Sequence, residues 1–82
     1  MITNSILHEE YDNFKQNIKY YRKKLNLTQE DLAEKADLSI SYIKQIESNK
    51  EFKNVSFTVI LKLSKALDVS VDKLFVIKVK NS

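Results

Sequence analysis

The chain contains no cysteine, glycine, proline or tryptophan, and its one histidine is His8. Without cysteine there is no disulfide and no thiolate nucleophile, and one histidine alone cannot complete a His/Cys metal site, so no metal and no cofactor is expected. Without glycine there is no phosphate-cradling loop, and His8 shares no motif with a carboxylate or a nucleophile, so no catalytic residue and no enzyme activity is expected. No apolar run reaches the length of a bilayer span, and the opening MITNSILHEEYDN is acidic where a signal peptide is basic. These absences point to a cytoplasmic chain with no membrane attachment and no small-molecule ligand.

The missing glycine and proline also constrain the backbone. Helix ends that need a left-handed residue must use Asn or Asp, the next most tolerant types. Asn26, Asp37, Asn49 and Asp68 each follow an apolar-periodic segment and divide the chain into helices.

A chain of 82 residues is one small domain, near the lower size at which a core sustains itself, so self-association is expected to supplement it. Such a length is expected to leave no room for a separate sensor domain. Glu9, Glu10 and Asp12 precede every positive side chain; residues 13 to 82 then carry fourteen positive against eight negative groups, a net of +6. That balance favours phosphates over acidic partners, weakly when taken alone.

Leu7, Tyr11, Phe14, Ile18, Tyr21 and Leu25 alternate at spacings of four and three, one face of a helix ending at Asn26. Either Ser5 caps its start, or residues 1–12 form a leader ahead of a helix that begins near Asp12. Thr28 and Asp31 make a capping box for a second helix, about Gln29 to Ala36, that buries Leu32, Ala33 and Ala36. Only Asp37 and Leu38 separate it from Ser39, the cap of a third helix with Ile43 and Ile46 inward. Helices joined so closely cross steeply, as in a helix-turn-helix. Ser56 caps a fourth helix with Phe57, Ile60, Leu61, Ser64 and Leu67 inward, and Ser70 a short fifth through Phe75. The alternation of Phe75, Ile77 and Val79 with Val76, Lys78 and Lys80 suits a short C-terminal strand.

With Ile43 and Ile46 inward, the third helix turns Ile40, Ser41, Lys44 and Gln45 outward, flanked by Ser39 and Tyr42. An isoleucine among serines is a poor solvent face and a serviceable face for the DNA major groove. Gln45 can pair with adenine, Lys44 can reach guanine or a phosphate, Ser41 can donate or accept, and Ile40 can pack on a thymine methyl. Tyr20 and Tyr21 are adjacent, so one packs inward and the other is exposed. Lys15, Lys19, Lys23 and Lys24 are assigned no individual contact.

The stretches NIKYYRKKLNLTQEDLA, SISYIKQIESNK and VSFTVILKLSKALDVSVDKLF together resemble the phage-repressor and Cro family of bacterial transcription regulators, the XRE family, from about Phe14 to Phe75. The resemblance implies an all-α, five-helix, lambda-repressor-like domain over residues 13–75 that binds a palindromic DNA operator as a homodimer. It implies that Ser39, Ile40, Ser41, Lys44 and Gln45 read bases, and that Gln29 touches a phosphate while bracing the reading helix. Thr28, Tyr42, Lys50, Lys53 and Asn54 are placed beside Gln29 as phosphate contacts. Arg22 and Glu47 match a structural ion pair tying the first helix to the third. Leu74 and Phe75, with Ile77 and Val79 of the tail at 76–82, are the expected dimer contact.

Three positions depart from the family pattern. Ile40 stands where a polar base reader is usual, Asn49 replaces a glycine, and the segment between Glu47 and Ser56 is longer and lacks a proline. The implied function is an autoregulating repressor or operon controller, of a restriction-modification system or a mobile element. The alternative is a protein-interaction module or antitoxin-type partner on the same fold.

Overall fold

A computed structural model describes the backbone of residues 3–48 and 55–76, with side chains from Glu9 onward. Four α-helices follow in order, α1 at Thr3–Lys24, α2 at Gln29–Ala36, α3 at Ile40–Glu47 and α4 at Phe57–Leu67, and a 3-10 helix spans Val71–Phe75. No helix among the described residues is long and apolar enough to cross a membrane.

Hydroxyl caps begin three of the helices. Thr28, Ser39 and Ser56 each hold extended backbone angles and accept the amide of the residue three positions on. Asn26, Asp37 and Asp68 carry positive φ of 60°, 57° and 58°, closing α1, α2 and α4 without a glycine. The third helix ends differently: Ser48 stays extended, and its hydroxyl donates to the Gln45 carbonyl at 2.9 Å. Asn49, the expected left-handed residue there, lies outside the described residues.

Phe14 and Ile18 of α1, Leu32, Ala33 and Ala36 of α2, Ile43 and Ile46 of α3, Leu63, Ala66 and Leu67 of α4, and Leu74 make one core. α1 runs unbroken from Thr3 to Lys24, through Asp12. Leu25 was expected on its buried face and is instead exposed, because it follows the last helical residue as the chain swings into Asn26.

Two further expectations are corrected in the second half of the chain. Phe57 and Leu61 do not face inward: Phe57 is 65% exposed and Leu61 38%, while Leu63 and Ala66 take the buried places beside Ser64 and Leu67. Phe57 is the first residue of α4 and precedes the stretch that meets the other helices. The fifth helix is a single 3-10 stretch, since five residues fall below the length at which an α-helix sustains itself. Ser70 precedes it without a side-chain cap to the backbone. Phe75 belongs to that stretch and Val76 follows it, so neither begins a strand; residues 77–82 of the expected strand lie outside the described residues.

Candidate nucleic-acid interface

The third helix divides cleanly by burial. Ile43, Ile46 and Glu47 are buried, Tyr42 is half-buried, and Ser39, Ile40, Ser41, Lys44 and Gln45 are exposed together. All five expected base readers therefore share one accessible surface, and Ser39 fixes its start by accepting the Tyr42 amide at 3.1 Å.

What holds this helix in place is a buried charge network. Arg22 at the end of α1 grips Glu47 in fork geometry, Nε to Oε2 at 2.7 Å and Nη2 to Oε1 at 2.9 Å. Its remaining nitrogen, Nη1, donates to the Leu27 carbonyl at 2.7 Å in the turn that leads to α2. Gln29 completes the cluster by donating from Nε2 to Glu47 Oε1 at 3.1 Å. One carboxylate thus joins α1, the start of α2 and the end of α3. The side chains of Arg22 and Glu47 are only 10% and 2% exposed, so their hydrogen bonds, not water, must compensate their charges.

Thr28 and Gln29 stand at the start of α2, where backbone amides point outward and favour anions. A reciprocal capping box holds this end: the Thr28 hydroxyl accepts the Asp31 amide and the Asp31 carboxylate accepts the Thr28 amide, both at 2.9 Å. That backbone amide of Thr28, with its hydroxyl second, holds the Asp31 carboxyl below its ordinary pKa. Burial pushes the Tyr42 phenol above its ordinary value.

The structure separates the remaining candidates. Lys50, Lys53, Asn54, Ile77 and Val79 lie outside the described residues. Leu74 cannot serve as a dimer contact, since it is fully buried within its own domain. Phe75 is half-buried and stacks on Phe14 with ring centroids 5.3 Å apart. Of the two tyrosines, Tyr20 is exposed and meets Tyr21 edge-on at 5.0 Å, while Tyr21 packs against the core. Lys24 lies over the Tyr20 ring at 5.6 Å.

Two features escaped the sequence. Asn17 is 1% exposed, and its Nδ2 donates to the carbonyls of Leu74 and Val76, both at 2.8 Å. Lys15 and Lys19 line a polar cleft of about 250 Å³ with Asp12, Gln16, Glu47 and Ser48, which sets two lysines of α1 beside the end of the reading helix. An asparagine inside an otherwise apolar helical stripe was the one available signal for the first; nothing local signalled the second.

A helix with one exposed face, joined by a three-residue turn to a preceding helix of equal length and fixed from behind by an arginine and glutamate pair, defines a helix-turn-helix regulator. The helix-turn-helix family matches residues 18–74, and the chain belongs to it, as an XRE-type DNA-binding regulator of transcription. Among its relatives is the control protein C.SmaI of Serratia marcescens, 41% identical over 59 residues that span 72% of this chain and 68% of that one. Among solved structures, the restriction-modification controller protein C.AhdI of Aeromonas hydrophila superposes with a TM-score of 0.70 at 38% identity, covering 77% of this chain and 92% of the other.

Proposed function

We propose that this regulator binds an operator in its own control region as a homodimer, in the cytoplasm, and sets the expression of a restriction-modification operon. The observation that carries the DNA reading is the single exposed face formed by Ser39, Ile40, Ser41, Lys44 and Gln45 on a helix whose opposite face is fully buried. A helix of that diameter enters the major groove, where Gln45 pairs with adenine and Lys44 and Ser41 meet acceptors on neighbouring bases. Gln29, Thr28 and Tyr42 hold the flanking phosphates, and Lys50, Lys53 and Asn54 add contacts from the segment after α3. The operon assignment is supported by similarity to two proteins named as controllers, C.SmaI and C.AhdI.

Two-fold pairing of protomers places the reading helices about one DNA turn apart on a palindrome. Phe75, Ile77 and Val79 are the proposed apolar contribution to that pairing. Light scattering at micromolar concentration is expected to return twice the chain mass; a monomer that stays monomeric on DNA rules the pairing out.

Fluorescence anisotropy on upstream intergenic DNA and on scrambled DNA of equal length, across several salt concentrations, tests the reading directly. A preference of roughly a thousandfold or more with a steep salt slope is expected. Equal and weak binding to both would rule out operator recognition in that region.

A further inference from the structure

We infer that Ile40 makes the start of α3 a reader of pyrimidine C5-methyl groups, accepting 5-methylcytosine where it accepts thymine and discriminating against uracil and unmethylated cytosine. This rests on the DNA-binding reading above and names what one position of that surface recognises. Ile40 is the first residue of α3 and is 37% exposed, the one large aliphatic side chain on a surface otherwise made of serines, a lysine and a glutamine. It has no donor and no acceptor, so it cannot read the polar pattern of a base edge. In the major groove the apolar feature that distinguishes pyrimidines is the methyl group at C5.

Two neighbours sharpen this. Ser39 and Ser41 on either side are short, so they let the helix start come close to the bases without covering Ile40. The branched side chain is also nearly fixed in χ1 within a helix, and little freedom is lost when it packs.

Chemically, thymine and 5-methylcytosine present the same methyl group at the same place, and they differ in the exocyclic group beside it. A contact made only through the methyl is indifferent to that second group. Cytosine methylation at this one operator position is therefore expected to strengthen binding, which couples recognition to the methylation state of the DNA.

The probe is the tightest duplex recovered from a randomised library by the full-length chain. Each thymine in turn is replaced by deoxyuridine, and at any sensitive position the pair is then changed to cytosine or to 5-methylcytosine opposite guanine. Removing the methyl is expected to weaken binding about fourfold per half-site, as for one buried methyl group. 5-Methylcytosine is expected to bind about fourfold more tightly than cytosine at that position. Ile40→Ala is expected to abolish both differences and Ile40→Val to retain them; both variants should fold, since the side chain lies outside the core, and circular dichroism checks this. Indifference to deoxyuridine at every thymine, or a methyl dependence that persists in Ile40→Ala, overturns the inference. Failure to recover any preferred duplex instead overturns the DNA reading on which it rests.

Discussion

Arg22 and Glu47, 25 positions apart in the chain, meet through two parallel hydrogen bonds with almost no access to water. Glu47 is the last residue of the reading helix and Arg22 lies in the last turn of α1, so this contact sets where the reading helix stands. Removing either partner leaves a buried charge without its counter-charge, held only by a neutral hydrogen bond, at a cost of about 3–5 kcal/mol. That is a large part of the stability of a domain this small. Urea unfolding of Glu47→Ala or Arg22→Ala is expected to show that loss. Arg22→Lys should recover only part of it, because an ammonium cannot form the paired bonds. Replacing both with apolar residues should restore stability while leaving Gln29 without its acceptor, and operator affinity should then fall in a protein that still folds.

Asn17 secures the end of the described fold to its first helix. Asn17→Ala deprives the Leu74 and Val76 carbonyls of their shared donor and opens a gap in the α1 face. A loss of about 1–3 kcal/mol is expected in thermal or urea unfolding. Hydrogen exchange should locate the largest loss of protection in the Val71–Phe75 stretch. An unchanged exchange pattern there would mean that Phe14 and Phe75 stacking alone holds it.

Acid should loosen the start of α2. The Asp31 carboxyl has a folded pKa below its unfolded value, because the Thr28 amide donates to its ionised form. Its contribution is therefore complete above the unfolded value and disappears as pH falls through the lower folded value. Asp72, held low chiefly by the Ser70 hydroxyl, acts in the same direction. Unfolding of wild type and Asp31→Asn between neutral pH and about pH 3 should show a difference that shrinks on acidification. A difference that grows would contradict the sign of the shift.

Gln45→Ala separates base reading from backbone contact. A neutral amide releases no counterion, so operator affinity is expected to fall by about 1–3 kcal/mol with the salt slope unchanged. Binding to scrambled DNA should not change. A parallel loss on both DNAs would place Gln45 on the phosphate backbone instead.

How legible each part was in the sequence follows from the distance over which it is determined. The caps at Thr28, Ser39 and Ser56 and the left-handed residues Asn26, Asp37 and Asp68 depend on three or four neighbouring residues, and all could be read directly. The exposed face of α3 follows from its short period once Ile43 and Ile46 are placed inward. Asn17 was not legible, because its partners lie 57 and 59 positions away. Phe57 and Leu74 exchanged roles for a related reason. Each is an apolar residue near the end of an element, where periodicity no longer fixes a face, and only the packing of α4 and the 3-10 stretch against α1 decides which one water reaches. The resemblance supplied Arg22, Glu47 and Gln29, which spacing alone does not connect.

The close junction of α2 with α3 governs how this protein meets variation in DNA. Asp37, Leu38 and Ser39 alone join the two helices, and Glu47 ties the far end of α3 to α1 and α2. The reading helix is thus tied at both ends before any duplex arrives, and it is expected to dock as a unit with the rest of the domain. Tilting it within the domain to meet an imperfect operator would break the Glu47 contacts. Accommodation falls to the duplex, whose flexible pyrimidine–purine steps and groove width vary with sequence, so bases that the protein never touches should also influence affinity.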